Sequence, residues 1–530
     1  MPFSWDFPYK SQQMPILAKN VVATSQPLAA QAGVDALRKG GNAVDAALAT
    51  AITLTVVEPT SNGIGSDAFC ILWDSESRQL YGLNASGRAP RALSPERFVG
   101  MERMPVLGWD PITVPGAVSA WVALSERFGK LPFEALFEAA IHYARDGFLA
   151  SPITAAAWGR AVAHYKDFPA FGETFAPAGR APHPGELFRC PDMATTLETI
   201  AVTTGEAFYR GALAERIAAH AAATCGLMTV ADLASHEPEW VTPMSQEYHG
   251  YDLHEIPPNG QGLAALVALG ILRRLDISHY PVDSADSVHI QVEAMKIAFA
   301  EGHRHIADPA WMEVPPEALL SEEFLVGRAR QINMDTAQFP KSELPTDHGT
   351  VYLTAADANG MMVSYIQSNY MGFGSGIVIP GTGISMQNRG AGFRLEQGHP
   401  NRVAGGKRPY HTIIPGFVTQ NGQPVMSFGV MGGHMQPQGH TQMMVRIFDY
   451  GQNPQSASDA PRWYVEEDLT KLSLEPGFAP EVVEELRRRG HRVTSALPPG
   501  RFGGAQLIYK LDDGYCTGTD WRKDGQAVGY

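Results

Sequence analysis

The sequence predicts a layered α/β protein, and three observations predict it. Residues 28–57 carry two capped helical patterns, residues 338–349 form a polar, proline-interrupted connector, and residues 350–368 read as a β-hairpin. A helical first part followed by a β-rich second part fits helices stacked on sheets. With 530 residues, 44% of them hydrophobic and 18% charged, the chain can bury a large core and lacks the composition of a disordered one.

Taken in order, Ser25-Gln26-Pro27 is a helix start, because proline fits the first helical position, where its missing N–H costs nothing. The helix runs over residues 28–39 and stops at Gly40-Gly41. Asn42 can cap the next one, residues 43–57, whose small and apolar residues suggest burial on most sides. A glycine-rich turn over residues 62–67 leads into a buried strand over 68–73. Residues from about 115 to 335 alternate helical patterns with proline-rich loops. After the connector, two β-rich runs, 350–357 and 361–368, flank Asn359-Gly360, a hairpin signal. Glycine-rich loops fill 371–392, a strand over 425–431 reaches Gly432-Gly433, and a helix follows near 440–449. There is no repeat and no low-complexity tract.

Composition excludes several functions. A formal charge of −14 disfavours nucleic acid and anionic membrane as partners, although a pocket can be locally basic. Cys70, Cys190, Cys225 and Cys516 are too scattered for a metal framework and read as buried thiols. The first twenty residues lack the apolar core of a signal peptide, and residues 44–57 are too polar to span a bilayer. A cytoplasmic protein is expected.

Two features can carry chemistry. Thr350 opens a strand directly after the connector and Gly349. Were the Gly349–Thr350 bond cut, Thr350 would hold a hydroxyl nucleophile and a free α-amine, whose pKa near ~8 suits a general base. An ordinary strand start is the alternative. Gly432-Gly433, between a strand and a helix, lets backbone N–H groups converge on an anion, as an oxyanion hole or as a simple turn.

The run from Thr350 through Asp357-Ala-Asn-Gly360 to Phe373-Gly-Ser-Gly376 resembles the start of the small subunit of gamma-glutamyltranspeptidases, with no gap in spacing. Further blocks resemble the family in order: residues 40–46, 59–65, 110–116, 293–299 with Asp308-Pro309, 407–409, 431–433 and 449–451. The resemblance covers about residues 18–520. It implies a four-layer αββα N-terminal-nucleophile hydrolase sandwich, made as a proenzyme that cuts itself before the threonine. Residues 1–349 would become the large subunit and 350–530 the small one, together one αββα body. Carried over, Thr350 attacks an amide, Ser368 touches the nucleophile, and the amides of Gly432 and Gly433 hold the oxyanion. No cofactor and no metal is implied, so His303, His305 and Asp308 are expected to be structural. A homo-oligomer of the cleaved heterodimer fits the same picture.

The substrate-head residues depart from the family's pattern. Ser86 fills the position of the arginine that holds a γ-glutamyl carboxylate, and Arg88 follows two residues later. Ala391-Gly392-Phe393 lacks the aspartate that holds the α-amine. His411 and Thr412 replace a Ser-Ser pair, while Tyr370 and Arg389 replace an Asn and a Gln. Arg389, added while Arg88 stays close, predicts a more cationic pocket, and His434 beside the glycine pair is a further candidate for it. Such a pocket would suit a small acidic amide without an α-ammonium, such as oxamate or a glutaryl amide. A γ-glutamyl hydrolase or transferase is the alternative, and a non-catalytic binding protein the remote one.

Overall fold

The computed structural model describes residues 12–340, 349–495 and 497–530. Two seven-stranded sheets lie face to face, and every strand pair within them is antiparallel. The first runs Gln526–Gly529, Val21–Thr24, Gly349–Ala356, Met362–Tyr370, Asp67–Asp74, Gln79–Asn84, Glu239–Val241. The second runs Leu17–Ala18, Gly514–Gly518, Gly504–Leu511, Gln423–Met431, Gly416–Gln420, Tyr251–Glu255, Met244–Tyr248. Helices cover both outer faces, which gives the expected four αββα layers.

Three apolar cores hold the layers together. Helix Ala43–Val57 is buried along its whole length and packs with Val351, Leu353 and Ala355 on the outer face of the first sheet. Helices Gly262–Leu272, Ala285–His305 and Met435–Phe448 do the same for the second sheet. Between the sheets lie Phe69, Ile71, Tyr352, Ile366, Phe417, Met431 and Ile508. The Gly349–Ala356 strand is buried on both faces, and the Tyr352 and Thr354 hydroxyls on one of them are paired with Ser364 and Ser427.

Local signals fixed the early helices. Asn42 and Asp45 form a reciprocal capping box at the start of Ala43–Val57, and Pro27 opens Pro27–Arg38. Three expectations need correction. The stretch expected to alternate helices and loops also contains strands Glu239–Val241, Met244–Tyr248 and Tyr251–Glu255. Helix Met435–Phe448 starts earlier than expected, with His434 as the one residue between it and the glycine pair. Cys225 is exposed, whereas the other three cysteines are buried.

Most of the connector, residues 341–348, and the first eleven residues lie outside the described residues. Gly349 itself is buried and already in a strand. Among the described residues no helix is long and apolar enough to cross a membrane.

Candidate active site

Strand pairing assembles the site. The Gly349–Ala356 strand pairs with Met362–Tyr370, and the register slips by one residue near Ser368, leaving Tyr370 at φ 74°. This bulge turns Ser368 toward the start of its neighbour. Ser368 Oγ lies 3.2 Å from Thr350 Oγ1, donates to the Gly349 carbonyl at 2.7 Å, and accepts from the Tyr370 amide at 2.8 Å. The Gly349 carbonyl is the one that Thr350 would attack to cut the chain. Ser368 thus bridges the Thr350 hydroxyl and the Gly349 carbonyl.

The facing sheet supplies the glycine pair. Thr354 Oγ1 meets Ser427 Oγ at 2.6 Å across the sheet interface, and the Tyr352 ring lies against Gly429. Stepping two residues further along both strands brings Thr350 level with Met431, one residue short of Gly432. Gly432 and Gly433 adopt φ 128° and 58°, which side-chain-bearing residues rarely take. Their carbonyls accept from the Met435 and Gln436 amides as the helix begins, and among the described residues their own N–H groups have no acceptor. Unpaired donors at a helix start favour an anion. Gln261 fixes this turn: its Nε2 donates to the carbonyls of Gly433, at 2.8 Å, and Thr412, at 2.5 Å, while its Oε1 accepts from Tyr410.

A buried charged cluster adjoins Ser368. Asp67 stands directly across from Ser368 in the sheet. Its Oδ2 receives His411 Nε2 at 3.1 Å and lies 3.8 Å from Arg389 Nε. Arg389 donates to Thr412 Oγ1 at 2.7 Å and sits 4.6 Å over the Tyr370 ring. Its Nε and Nη2 have no hydrogen-bond partner, although the residue is only 1% exposed. Burial pushes the Asp67 carboxyl up to about 7 against the pull of Arg389. Burial likewise lowers Arg389 to about 10, and it holds His411 neutral, with the charges of Arg389 and Arg408 adding to the effect.

Tyr370, Arg389, His411 and Thr412 therefore converge. Arg88 does not join them: its half-exposed guanidinium turns outward to Asp308, at 2.8 Å, and Glu239, at 3.5 Å. Ser86 bonds Asn84 at 2.7 Å. His434 packs in a ring cluster with Phe299, His303 and Tyr410. Asp67 and Gln261 were missed; each closes a glycine-rich turn, the only local sign of a site residue.

His303, His305 and Asp308 diverge. His303 stacks on Phe299, His305 faces Glu301, and Asp308 takes Arg88 and the Arg408 amide. Elsewhere His289, Glu293 and His491 lie close enough to share an ion. Their polar atoms are used internally, since the two rings bond each other at 2.7 Å and Glu293 pairs with Lys296 and the Gln338 amide. The cluster therefore reads as structural.

Gly349 tolerates no side chain. A Cβ there would fall 2.5 Å from the Gly372 nitrogen, so the backbone would have to shift. We expect Gly349→Ala to slow self-cleavage at least about tenfold, because overpacking of this kind displaces the carbonyl from Ser368. The uncut fraction on a denaturing gel over time checks this, and cutting at the wild-type rate would refute it.

A model of the gamma-glutamyltranspeptidase family matches residues 29–530. The glutathione hydrolase-like YwrD proenzyme of Bacillus subtilis is 35% identical over 518 residues, covering 96% of this chain and 98% of the relative. The oxamate amidohydrolase proenzyme of Klebsiella pneumoniae is 36% identical over 515 residues, covering 95% and 97%. The crystal structure of a cephalosporin acylase from Bacillus halodurans superposes with a TM-score of 0.95 at 48% identity, covering 100% of this chain and 99% of that one.

Proposed function

The chain belongs to the gamma-glutamyltranspeptidase family, and on that premise we propose that it is a self-processing threonine amidohydrolase cleaving a small acidic amide. The observation that carries the first half is the run Thr350 Oγ1, Ser368 Oγ, Gly349 carbonyl, at 3.2 and 2.7 Å. In the precursor Thr350 Oγ1 attacks the Gly349 carbonyl carbon and the C–N bond breaks. The hydroxyl proton passes to the departing nitrogen, with Ser368 in position to carry it. Water then hydrolyses the ester, leaving a Gly349 carboxylate and a free Thr350 amine.

The mature amine acts on substrate. Thr350 is 2% exposed, and burial disfavours an ammonium, which draws the amine toward the neutral base needed near pH ~7. The amine takes the Thr350 hydroxyl proton as Oγ1 attacks the substrate amide, and returns it to the leaving nitrogen. The Gly432 and Gly433 amides meet the oxyanion. Water, activated by the same amine, releases the acid.

Arg389 supports the acidic half of the reading. It is a buried guanidinium with unpaired donors, set between Tyr370 and Thr412, and a carboxylate would complete it. Oxamate is itself a carboxylate bearing an amide, so the similarity to an oxamate amidohydrolase agrees. One observation favours a second reading. The pocket holds a carboxylate after all, Asp67, which could receive the α-ammonium of a γ-glutamyl donor.

Intact mass and N-terminal sequencing, followed by hydrolysis of oxamate, a glutaryl amide and its γ-glutamyl counterpart, test these readings. Two fragments, the smaller starting at Thr350, and faster turnover of glutaryl than γ-glutamyl amide are expected. A chain that stays whole would overturn the mechanism. Preference for the γ-glutamyl amide would replace the first substrate reading with the second.

A further inference from the structure

Among the described residues Asp67 is the carboxylate of the Arg389–His411 cluster, and its surroundings are unusual for an ionised group. Its side chain is fully buried. Oδ1 receives a long contact, 3.4 Å, from the Gly87 amide, and the Gly87 and Gly116 amides hold the carboxyl down less than burial raises it. Oδ2 faces His411 Nε2 and, at 3.8 Å, Arg389 Nε, which is too far for a hydrogen bond. The Ile413 amide reaches His411 Nδ1 at 3.4 Å, so this ring presents an Nε2–H to an ionised Asp67.

The other charged and titratable groups around it are occupied. Arg408 pairs with Glu239 at 2.7 Å and donates to the Ser86 carbonyl at 2.8 Å. The Tyr209 hydroxyl donates to the Pro115 carbonyl at 2.9 Å, and its pKa is raised by burial. His236, which contacts Ser119 at 2.9 Å, is held down at about 3, by burial first. Asp67 therefore answers to Arg389 and His411, and Arg389 keeps Nη2 open for a ligand.

We propose that Asp67 is a positioning residue that stands in for the substrate's carboxylate beside Arg389, and that it takes up one proton when that carboxylate arrives. The proposal rests on the acidic-acyl reading above. The exchange balances: one carboxylate enters, one proton from solvent neutralises another, and Arg389 keeps a single counter-charge. Protonated on Oδ1, Asp67 keeps Oδ2 as the acceptor of His411 Nε2–H, so the ring retains the tautomer that the Ile413 amide sets. Without the proton, two carboxylates would share one guanidinium in a buried site, where like charges cannot both persist cheaply.

The sign follows from linkage. An ion that binds only the protonated form binds fully where Asp67 is already protonated, and binds more weakly as pH rises through the Asp67 pKa of about 7. Affinity for an acidic ligand should fall by up to about tenfold per pH unit above that value.

Glutarate binding to the mature enzyme tests this, by calorimetry in buffers of different ionisation heat, together with infrared titration of the carboxyl band in ligand-free protein. In wild type, proton uptake should rise from near zero at about pH 6 toward one at about pH 8.5. Asp67→Asn, which mimics the protonated form, should cut itself, bind glutarate at all these pH values with the wild type's low-pH affinity, and take up no proton. The infrared titration of that variant should lack one carboxyl relative to wild type, while Glu58, also raised to about 7 by burial, titrates in both. Uptake that survives Asp67→Asn overturns the proposal, and so, without needing the variant to fold, does wild-type glutarate binding with no proton uptake at about pH 8.5. L-glutamate binding more tightly than glutarate, with no proton uptake, would make Asp67 an ammonium ligand and overturn it too. A titrating carboxyl with no glutarate binding would instead refute the acidic-acyl reading itself, and the coupling with it.

Discussion

Thr350→Ala should remain a single chain indefinitely and show no amide turnover, whereas Thr350→Ser should still cut itself, more slowly. Removing the hydroxyl removes the only atom placed to attack the Gly349 carbonyl from its own strand. The loss should be at least about 10³-fold, comparable to deleting a nucleophile in other acyl-transfer sites. Serine keeps the oxygen 3.2 Å from Ser368 but loses the methyl that fixes the rotamer of a β-branched residue. The alanine chain should nonetheless fold. Val21–Thr24 and Asp67–Asp74 flank the neighbouring strands Gly349–Ala356 and Met362–Tyr370 in one sheet, and all these pairings exist in the uncut chain. Intact mass, a thermal melt and turnover together check the prediction. Cutting of the alanine variant at position 349 would assign the nucleophile elsewhere.

What could be read beforehand follows from how local each signal is. The helix at residues 43–57 was legible because its cap, Asn42 with Asp45, lies within one turn of its start. Thr350 and Ser368 were legible because a hairpin joins their strands and a family motif runs through both. Val21–Thr24 gave no such sign: four buried residues become a strand only by pairing with a segment more than three hundred residues away. The strands after residue 500 are hidden for the same reason.

Within the site, residue type was readable and direction was not. Arg88 stands close to Ser86 in sequence, yet its side chain leaves the pocket for Asp308 and Glu239. Asp67 looked like the last residue of a glycine-rich turn, because its partners Arg389 and His411 lie far along the chain. The bulge that aims Ser368, and the positive φ of Tyr370 that accompanies it, likewise depend on the pairing of two strands.

Arg389→Gln should raise KM for an acidic amide about 10- to 150-fold, with a smaller change in kcat and with self-cleavage intact. A charge-assisted hydrogen bond to a carboxylate contributes about 1.5–3 kcal/mol, and that range sets the factor. Self-cleavage should survive because the contacts of Thr350, Ser368 and the Gly349 carbonyl do not pass through the guanidinium. The variant also strands Asp67, whose carboxyl Arg389 holds down in the wild type. Without it the carboxyl keeps its proton to higher pH. A carboxyl whose folded pKa lies above its unfolded value costs stability progressively as pH rises from the unfolded pKa, near ~4, to the folded one. In wild type that loss ends at about 7; in the variant it should continue beyond. Melting temperatures of the two proteins should therefore converge at low pH and separate as pH rises above neutral. A parallel pair of curves would mean that Asp67 takes its charge balance from another group. An unchanged KM would show that the substrate does not present its carboxylate to Arg389.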